Sequence, residues 1–249
     1  PLEPEFSGVV IGKVLDIAPH PNADKVRVCQ VDIGSEVAEI ICGAWNFEAG
    51  AYVPVAIPGA VLGGDFVITK REIRGLTSNG MICSEAELGL GDDSDGIMVL
   101  NTDYPQASEC LGMDFAGVVG LPDVFFDISI TPNRPDCMSV VGLARELAAR
   151  LGLPLKERSP RLEATADATP LTIAIEDDRC PRFTVRTVRN ITVGASPHWI
   201  RRRLSIAGMR PINNVVDASN YVMLELGHPS HAFDRQRLGN SIGVRRARD

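Results

Sequence analysis

Residues 8–33 read GVVIGKVLDIAPHPNADKVRVCQVDI, two β-branched runs on either side of a proline-rich loop. Apolar and polar residues alternate in each run, and a period of two marks a strand with one buried face. Pro19, Pro21 and Asn22 supply turn chemistry between the runs, so the stretch predicts two strands joined by a loop. Four more short segments follow at near-regular spacing: EIICG (39–43), YVPVAI (52–57), DFVITKREI (65–73) and GIMVL (96–100). Gly34-Ser35 predicts a hairpin turn, and Pro58-Gly59 and Gly63-Gly64 predict two further turns. About five strands of this kind suit a small all-β barrel or sandwich. A short helix is expected over 84–90, where Ser84 precedes Glu85 and Glu87 and acids complement a helix N-terminus.

After Leu121-Pro122 the pattern changes. VFFDISI (124–130) predicts an apolar strand and TPNRPD (131–136) a loop. From 138 to 151, Val140, Leu143, Ala144, Leu147, Ala148 and Leu151 recur at intervals of three and four, the mark of an amphipathic helix. Asp136 or Ser139 is placed to accept from its first amides, and Gly152 with Pro154 stops it. Residues 156–170, KERSPRLEATADATP, are polar and proline-bearing and predict an exposed connection. Beyond it LTIAIED (171–177) and FTVRTVRNITV (183–193) predict strands, while 197–207 and 215–226 predict helices. SIGVRRARD (241–249) predicts the start of a strand with no partner. The chain opens at Pro1 rather than methionine and is expected to be a piece of a longer protein.

At 249 residues, 45% apolar and 23% charged, the chain is an ordinary globular one, long enough for two cores. No uncharged run reaches the roughly 18 apolar residues of a spanning helix, and no secretory signal is visible. Six cysteines lack any C-x-x-C pair, which predicts free buried thiols and no zinc site. The net charge of -7 hides a division. Residues 1–118 carry six Lys/Arg against eighteen Asp/Glu, a net of -12, whereas residues 119–249 carry nineteen against fourteen, a net of +5. Eighteen of those nineteen cations are arginine, whose forked donors suit phosphate and carboxylate. Any polyanion contact is therefore expected to favour the second half.

Three ordered segments of the first half, HPNADKVRVCQVDIG (20–34), IICGAWNFEAGAYVPVAIPGAVL (40–62) and IRGLTSNGMICSEAELGL (73–90), resemble the tRNA-binding oligonucleotide barrel (OB domain) shared by several aminoacyl-tRNA synthetases and free-standing tRNA-binding proteins. Such a barrel offers cations to phosphates and flat faces to bases. Lys25, Arg27, Lys70, Arg71 and Arg74 are the candidates for the first role, and Trp45 and Phe47 for the second. The alternative is a solvated strand face around a core Trp45, and a net of -12 repels phosphate at long range.

FFDISITPNRPDCMSVVGLARELAARLG (125–152) resembles the segment after the OB insertion in the bacterial phenylalanine–tRNA ligase beta subunit. Its polar residues fit helix capping, with Arg134 and Arg145 as alternative tRNA contacts. RRRLSIAGMRPINNVVDASNYVMLELGHPSHAFD (201–234) resembles the start of the same family's editing domain. A pocket built for phenylalanine rejects tyrosine, with its one added hydroxyl, by only about a hundredfold, so a second hydrolytic site is needed. By this resemblance Arg210, Asn220 and His231 line that site, with His231 orienting water or the terminal ribose. His228 and His231 mimic a metal pair, but Pro229 between them and the lack of a third ligand speak against one. Arg201, Arg202 and Arg203 suit a phosphate path or, equally, a solvated helix face.

The resemblance thus implies a multidomain chain: an all-β OB-type barrel over 5–118, a strand-helix connector over 119–165, and the first, truncated part of an editing domain over 166–249, the last two forming an α+β region. It implies a ligase that charges tRNA(Phe) with phenylalanine using ATP and Mg2+, assembled with an alpha subunit as an alpha2beta2 heterotetramer in the cytoplasm. No cofactor is expected on this piece, and it is not expected to aminoacylate by itself. Two rivals are a free-standing tRNA-binding module, and a subunit-docking scaffold with a vestigial barrel.

Overall fold

In the computed structural model, which describes residues 2–156 and 171–247, the chain forms two compact units. The first comprises Pro1–Ile128 with Pro197–Ile206, and the second Ser129–Ser196 with Ala207–Asp249. The predicted connection over 156–170 lies, from residue 157 on and with the domain boundary at 165/166, outside the described residues.

The first unit is built on long antiparallel strands: β1 (Ser7–His20), β2 (Ala23–Asp32), β3 (Val37–Cys42) and β4 (Tyr52–Leu62). Short strands β5 (Phe66–Val67), β6 (Arg71–Ile73), β7 (Leu76–Ser78) and β8 (Met81–Ile82) follow. The main sheet runs β3-β2-β1-β4-β5 with β8 also on β4, while β6 and β7 make a separate hairpin. β1 pairs with β2 along one part of its length and with β4 along another. Gly12 lies near where the two pairings meet, in space too tight for a side chain, since a Cβ would lie 2.6 Å from Val55 Cγ2 and 2.8 Å from Val31 Cγ1. The register shifts in each pairing, between Ser7 and Val9 against β4 and between Val14 and Asp16 against β2. Curvature at glycine with a bulged register is how a sheet coils into a barrel.

Two apolar clusters fill the unit. Cys29, Val31, Ile40, Val53 and Val55 anchor one, and Val9, Ile11, Leu88, Leu100 and Phe115 the other. Pro58-Gly59, expected as a turn, lies inside β4, where the β1 register jumps from Val9↔Ala56 to Ser7↔Val61. The irregularity absorbs the proline and the glycine, whose φ is +96°. The expected helix over 84–90 is a set of turns. Its capping chemistry survives without the helix, because Glu87 accepts from the Ser84 amide at 2.7 Å and the Ser84 hydroxyl at 2.8 Å. The one α-helix in this stretch of chain is the short α1 (Phe115–Val118).

In the second unit α2 (Val140–Leu151) packs against a helix further along the chain. Ser139 caps it by accepting from the Gly142 amide at 3.0 Å, and Gly152 ends it in the left-handed region. Asp136, the other expected cap, instead takes two hydrogen bonds from Arg134, which also reaches Glu146 at 2.7 Å. The guanidinium holds the Asp136 carboxyl down at about 2. β9 (Thr172–Ile175) comes next, then α3 (His198–Ile206), which belongs to the first unit. α4 (Asn214–Leu226), the helix α2 packs on, is capped by the Asn213 side chain. β10 (Ser241–Val244) pairs in parallel with β9, so the strand expected to lack a partner has one. The expected strands over 124–130 and 183–193 are irregular here.

Candidate functional site

The expected basic residues of the barrel divide by burial. Lys25, Lys70, Arg71 and Arg74 are exposed. The β6–β7 hairpin is clasped to the β1–β2 turn, with His20 Nε2 on the Ile73 carbonyl at 3.1 Å and Asn22 Nδ2 donating to the Arg74 carbonyl at 3.1 Å. This clasp brings the backbone of Arg74 beside the turn that leads into Lys25. Arg71 lies over the Phe66 ring at 5.5 Å. His20 and Asn22 were not among the expected site residues, Asn22 having been read only as turn chemistry with Pro19 and Pro21.

Arg27 is a correction. It is 6% exposed, and its Nη2 donates to the carbonyls of Ala44 at 2.8 Å and Phe47 at 3.2 Å. A guanidinium held this way is committed inside the chain and does not present itself to a phosphate. It lies over two rings, 4.8 Å from the Trp45 centroid and 4.5 Å from that of Phe47. Phe47 is core at 4% exposed, whereas Trp45 is 62% exposed. Trp45 is thus the expected flat face that reaches solvent. Beside it lies a cavity of about 480 Å3 lined by Trp45, Phe47, Gly50 and Asn101 among others.

The arginine triplet on α3 is also not the open cationic cluster that its sequence suggested. Arg201 grips Glu85 with both terminal nitrogens, at 2.6 and 2.8 Å. Arg202 reaches Asp123 at 3.4 Å, and Arg203 lies over the Trp199 ring at 5.3 Å. Leu204 is fully buried, the His198 amide donates to Asp103 at 3.0 Å, and His198 Nδ1 hydrogen-bonds the Tyr104 hydroxyl. His198, Arg201 and Leu204 therefore form one docking edge. Burial lowers the His198 pKa and raises that of Tyr104, so the imidazole is neutral at pH 7. Arg201 neutralises an acid of the -12 segment and Arg202 one just beyond it, which helps a helix from the arginine-rich half pack there.

The expected hydrolytic residues lie on the second unit. Arg210 is exposed in the connection before α4, Asn220 is half-buried on α4, and His231 is exposed with its ring 4.8 Å from that of Phe233. The Ser219 hydroxyl donates to the Ser230 carbonyl at 3.0 Å and meets the Ser230 hydroxyl at 2.8 Å. That pair ties the residue before His231 to the residue before Asn220. Asp217, fully buried, accepts from the Ile212 amide and the Ser196 hydroxyl and so fixes the connection that carries Arg210. Asp217, Ser219 and Ser230 went unnoticed in sequence because their partners are set by the fold rather than by spacing. Among the described residues no group of three or more His, Cys, Asp or Glu is placed to hold a metal ion. The six cysteines are free, and burial pushes the thiols of Cys29 and Cys83 up to about 12.

Two family models match in this order: "Putative tRNA binding domain" over residues 9–109 and "B3/4 domain" over residues 179–249. Phenylalanine–tRNA ligase beta subunits match the chain along its length. That of Desulfotalea psychrophila is 45% identical over 100% of this chain, and that of Geobacter metallireducens 49% identical over 96%. The chain belongs to the phenylalanine–tRNA ligase beta-subunit family. It spans about 30% of the length of these relatives. Within the beta-subunit pattern, the barrel carries the tRNA-binding domain match and the segment from Arg179 onward the B3/4 match. No helix among the described residues is long and apolar enough to cross a membrane.

Proposed function

We propose that this chain is a segment of a phenylalanine–tRNA ligase beta subunit that binds tRNA(Phe) through its barrel and supplies part of a hydrolytic site for mischarged Tyr-tRNA(Phe). The observation that carries this reading is the likeness over the whole chain, with the tRNA-binding and B3/4 matches in one order. The intact enzyme charges tRNA(Phe) with phenylalanine using ATP and Mg2+, as an alpha2beta2 assembly with the alpha subunit in the cytoplasm. The divisions at 5–118, 119–165 and 166–249 serve tRNA binding, connection and editing in turn.

In the editing site, His231 orients the attacking water or the terminal ribose from an exposed loop, a task that suits a ring able to donate and accept a hydrogen bond. Asn220 offers both donor and acceptor to the aminoacyl group, and Arg210 meets the phosphate of the terminal nucleotide. The Ser219–Ser230 tie supports this grouping, because it fixes the loop of His231 to the helix of Asn220. Lys25, Lys70, Arg71 and Arg74 are the barrel's phosphate contacts, and Arg203 extends the path on α3.

The test is deacylation of Tyr-tRNA(Phe) by the intact enzyme carrying His231→Ala. Hydrolysis is expected to fall by roughly 100-fold or more, the usual worth of a positioned acid-base group. Charging with phenylalanine, measured in parallel, separates loss of the site from loss of the fold. Deacylation at the parent rate would reject His231 as an editing residue.

A further inference from the structure

The loop between β3 and β4 holds Trp45 in a way that core packing does not require. The Asn46 amide donates to the Ile97 carbonyl at 2.8 Å and its oxygen accepts from the Ile97 amide at 3.0 Å. The Asn101 side chain does the same service between Tyr52 and Gly50, at 2.8 and 3.3 Å. Arg27 fastens the carbonyls at both ends of the tip, Ala44 and Phe47. Arg27 Nε is buried without a hydrogen-bond partner, so contact with the two rings completes the seating of the guanidinium. The Arg27 guanidinium is thus shared by two rings, Phe47 in the core and Trp45 at 62% exposed.

A large aromatic on a pinned loop, exposed and already backed by a cation, loses little entropy when a second flat group stacks on it. We propose that Trp45 is a stacking platform for an unpaired nucleobase and that buried Arg27 is its positioning residue. The inference rests on the tRNA-binding reading and specifies its contact. The barrel's net of -12 sets the character of this contact. Long-range charge works against the strand, so affinity comes from stacking at short range, and Lys25 and the β6–β7 cations add few phosphate contacts. The cavity of about 480 Å3 beside Trp45 leaves room for the sugar next to the stacked base.

The experiment uses the full chain with Trp199→Phe, so that Trp45 is the sole tryptophan reporter. Three ligands are titrated at 50 and 200 mM salt: tRNA(Phe), an unstructured hexanucleotide RNA, and the abasic sugar–phosphate hexamer. Trp45 fluorescence is expected to be quenched by the first two and unchanged by the third. Trp45→Ala, read by filter retention, is expected to weaken RNA binding by roughly 5- to 150-fold, the range for one stacked base. Arg27→Met and Arg27→Lys, with folding followed by circular dichroism, are expected to weaken it while the fold is retained. Should either variant unfold, the comparison of Trp45→Ala with the abasic ligand still decides the platform. Retention of tRNA with unquenched Trp45, or equal binding of the abasic hexamer, would overturn the platform and leave the tRNA-binding reading standing. Failure of the chain to retain tRNA at either salt would overturn both.

Discussion

Arg201→Met removes the two-pronged grip on Glu85 and leaves a carboxylate whose side chain is only 9% exposed. Breaking a buried ion pair from one side costs about 3 to 5 kcal/mol, because the remaining charge stays desolvated. The arginine side chain is itself 25% exposed, so solvent already screens part of the pair and about 2 to 3 kcal/mol is the better expectation. Glu85→Gln should cost less, about 1 kcal/mol, because the amide still accepts from Arg201 and the guanidinium can turn to water. Native-state hydrogen exchange on the full chain reads the difference locally. Amides of α3 should exchange roughly 30- to 150-fold faster in Arg201→Met and about 5-fold faster in Glu85→Gln. Peptides from α2, in the other compact unit, serve as the internal reference. Equal acceleration in α2 and α3, or a larger effect from Glu85→Gln, would refute the reasoning that docking of α3 rests on a desolvated carboxylate.

Two further outcomes are expected. Gly142→Ala should destabilise the chain by about 2 to 3 kcal/mol in denaturant unfolding, although alanine is the better helix former by about 1 kcal/mol. A Cβ at that position would lie 1.8 Å from the Asp136 carbonyl oxygen, so the whole Arg134–Cys137 loop would have to retreat from α2. Acid should loosen α3 as the pH falls below 6.5. Burial lowers the folded pKa of His198 below its ordinary 6.5, and Glu85, Asp103 and Arg201 face the ring with opposing signs. Well above pH 6.5 the imidazole is neutral folded and unfolded, and the stability is complete. As pH falls below 6.5 the unfolded chain takes up a proton that the folded one refuses, so stability declines by at most about 1.4 kcal/mol per pH unit. The decline, measured from urea midpoints, should vanish in His198→Gln.

The strands of the barrel were legible because they pair with sequence neighbours. β1, β2 and β3 are consecutive antiparallel partners, and their alternation and turn residues all sit within one stretch of chain. Arg27 was legible too, in principle. It shares parity with Cys29 and Val31 on β2, both fully buried, and that parity argued against an exposed phosphate contact. What stayed hidden depended on distant partners. Glu85 and Arg201 meet across 116 positions, and Tyr104 and His198 across 94, separations at which no periodicity survives. The run of arginines on α3 signalled charge correctly, and its use was set by the acids it met. The apolar run over 124–130 was misread for the opposite reason, since Phe125 and Phe126 are largely exposed with no strand beside them.

The parallel pairing of β9 with β10 bears on the order in which the chain assembles during synthesis. Thr172 bonds in register with Ser241, so its neighbour leaves the ribosome roughly 70 residues later, or about 4 to 14 seconds at ordinary elongation rates. Through that interval β9 offers an open hydrogen-bonding edge, whereas the barrel's hairpins have long since closed behind it. A nascent chain of this kind carries closed barrel hairpins and one unfinished seam at the same time. Its window for strand exchange with a neighbour on the same message is therefore set by translation speed across residues 176–240, and slow codons there would widen it.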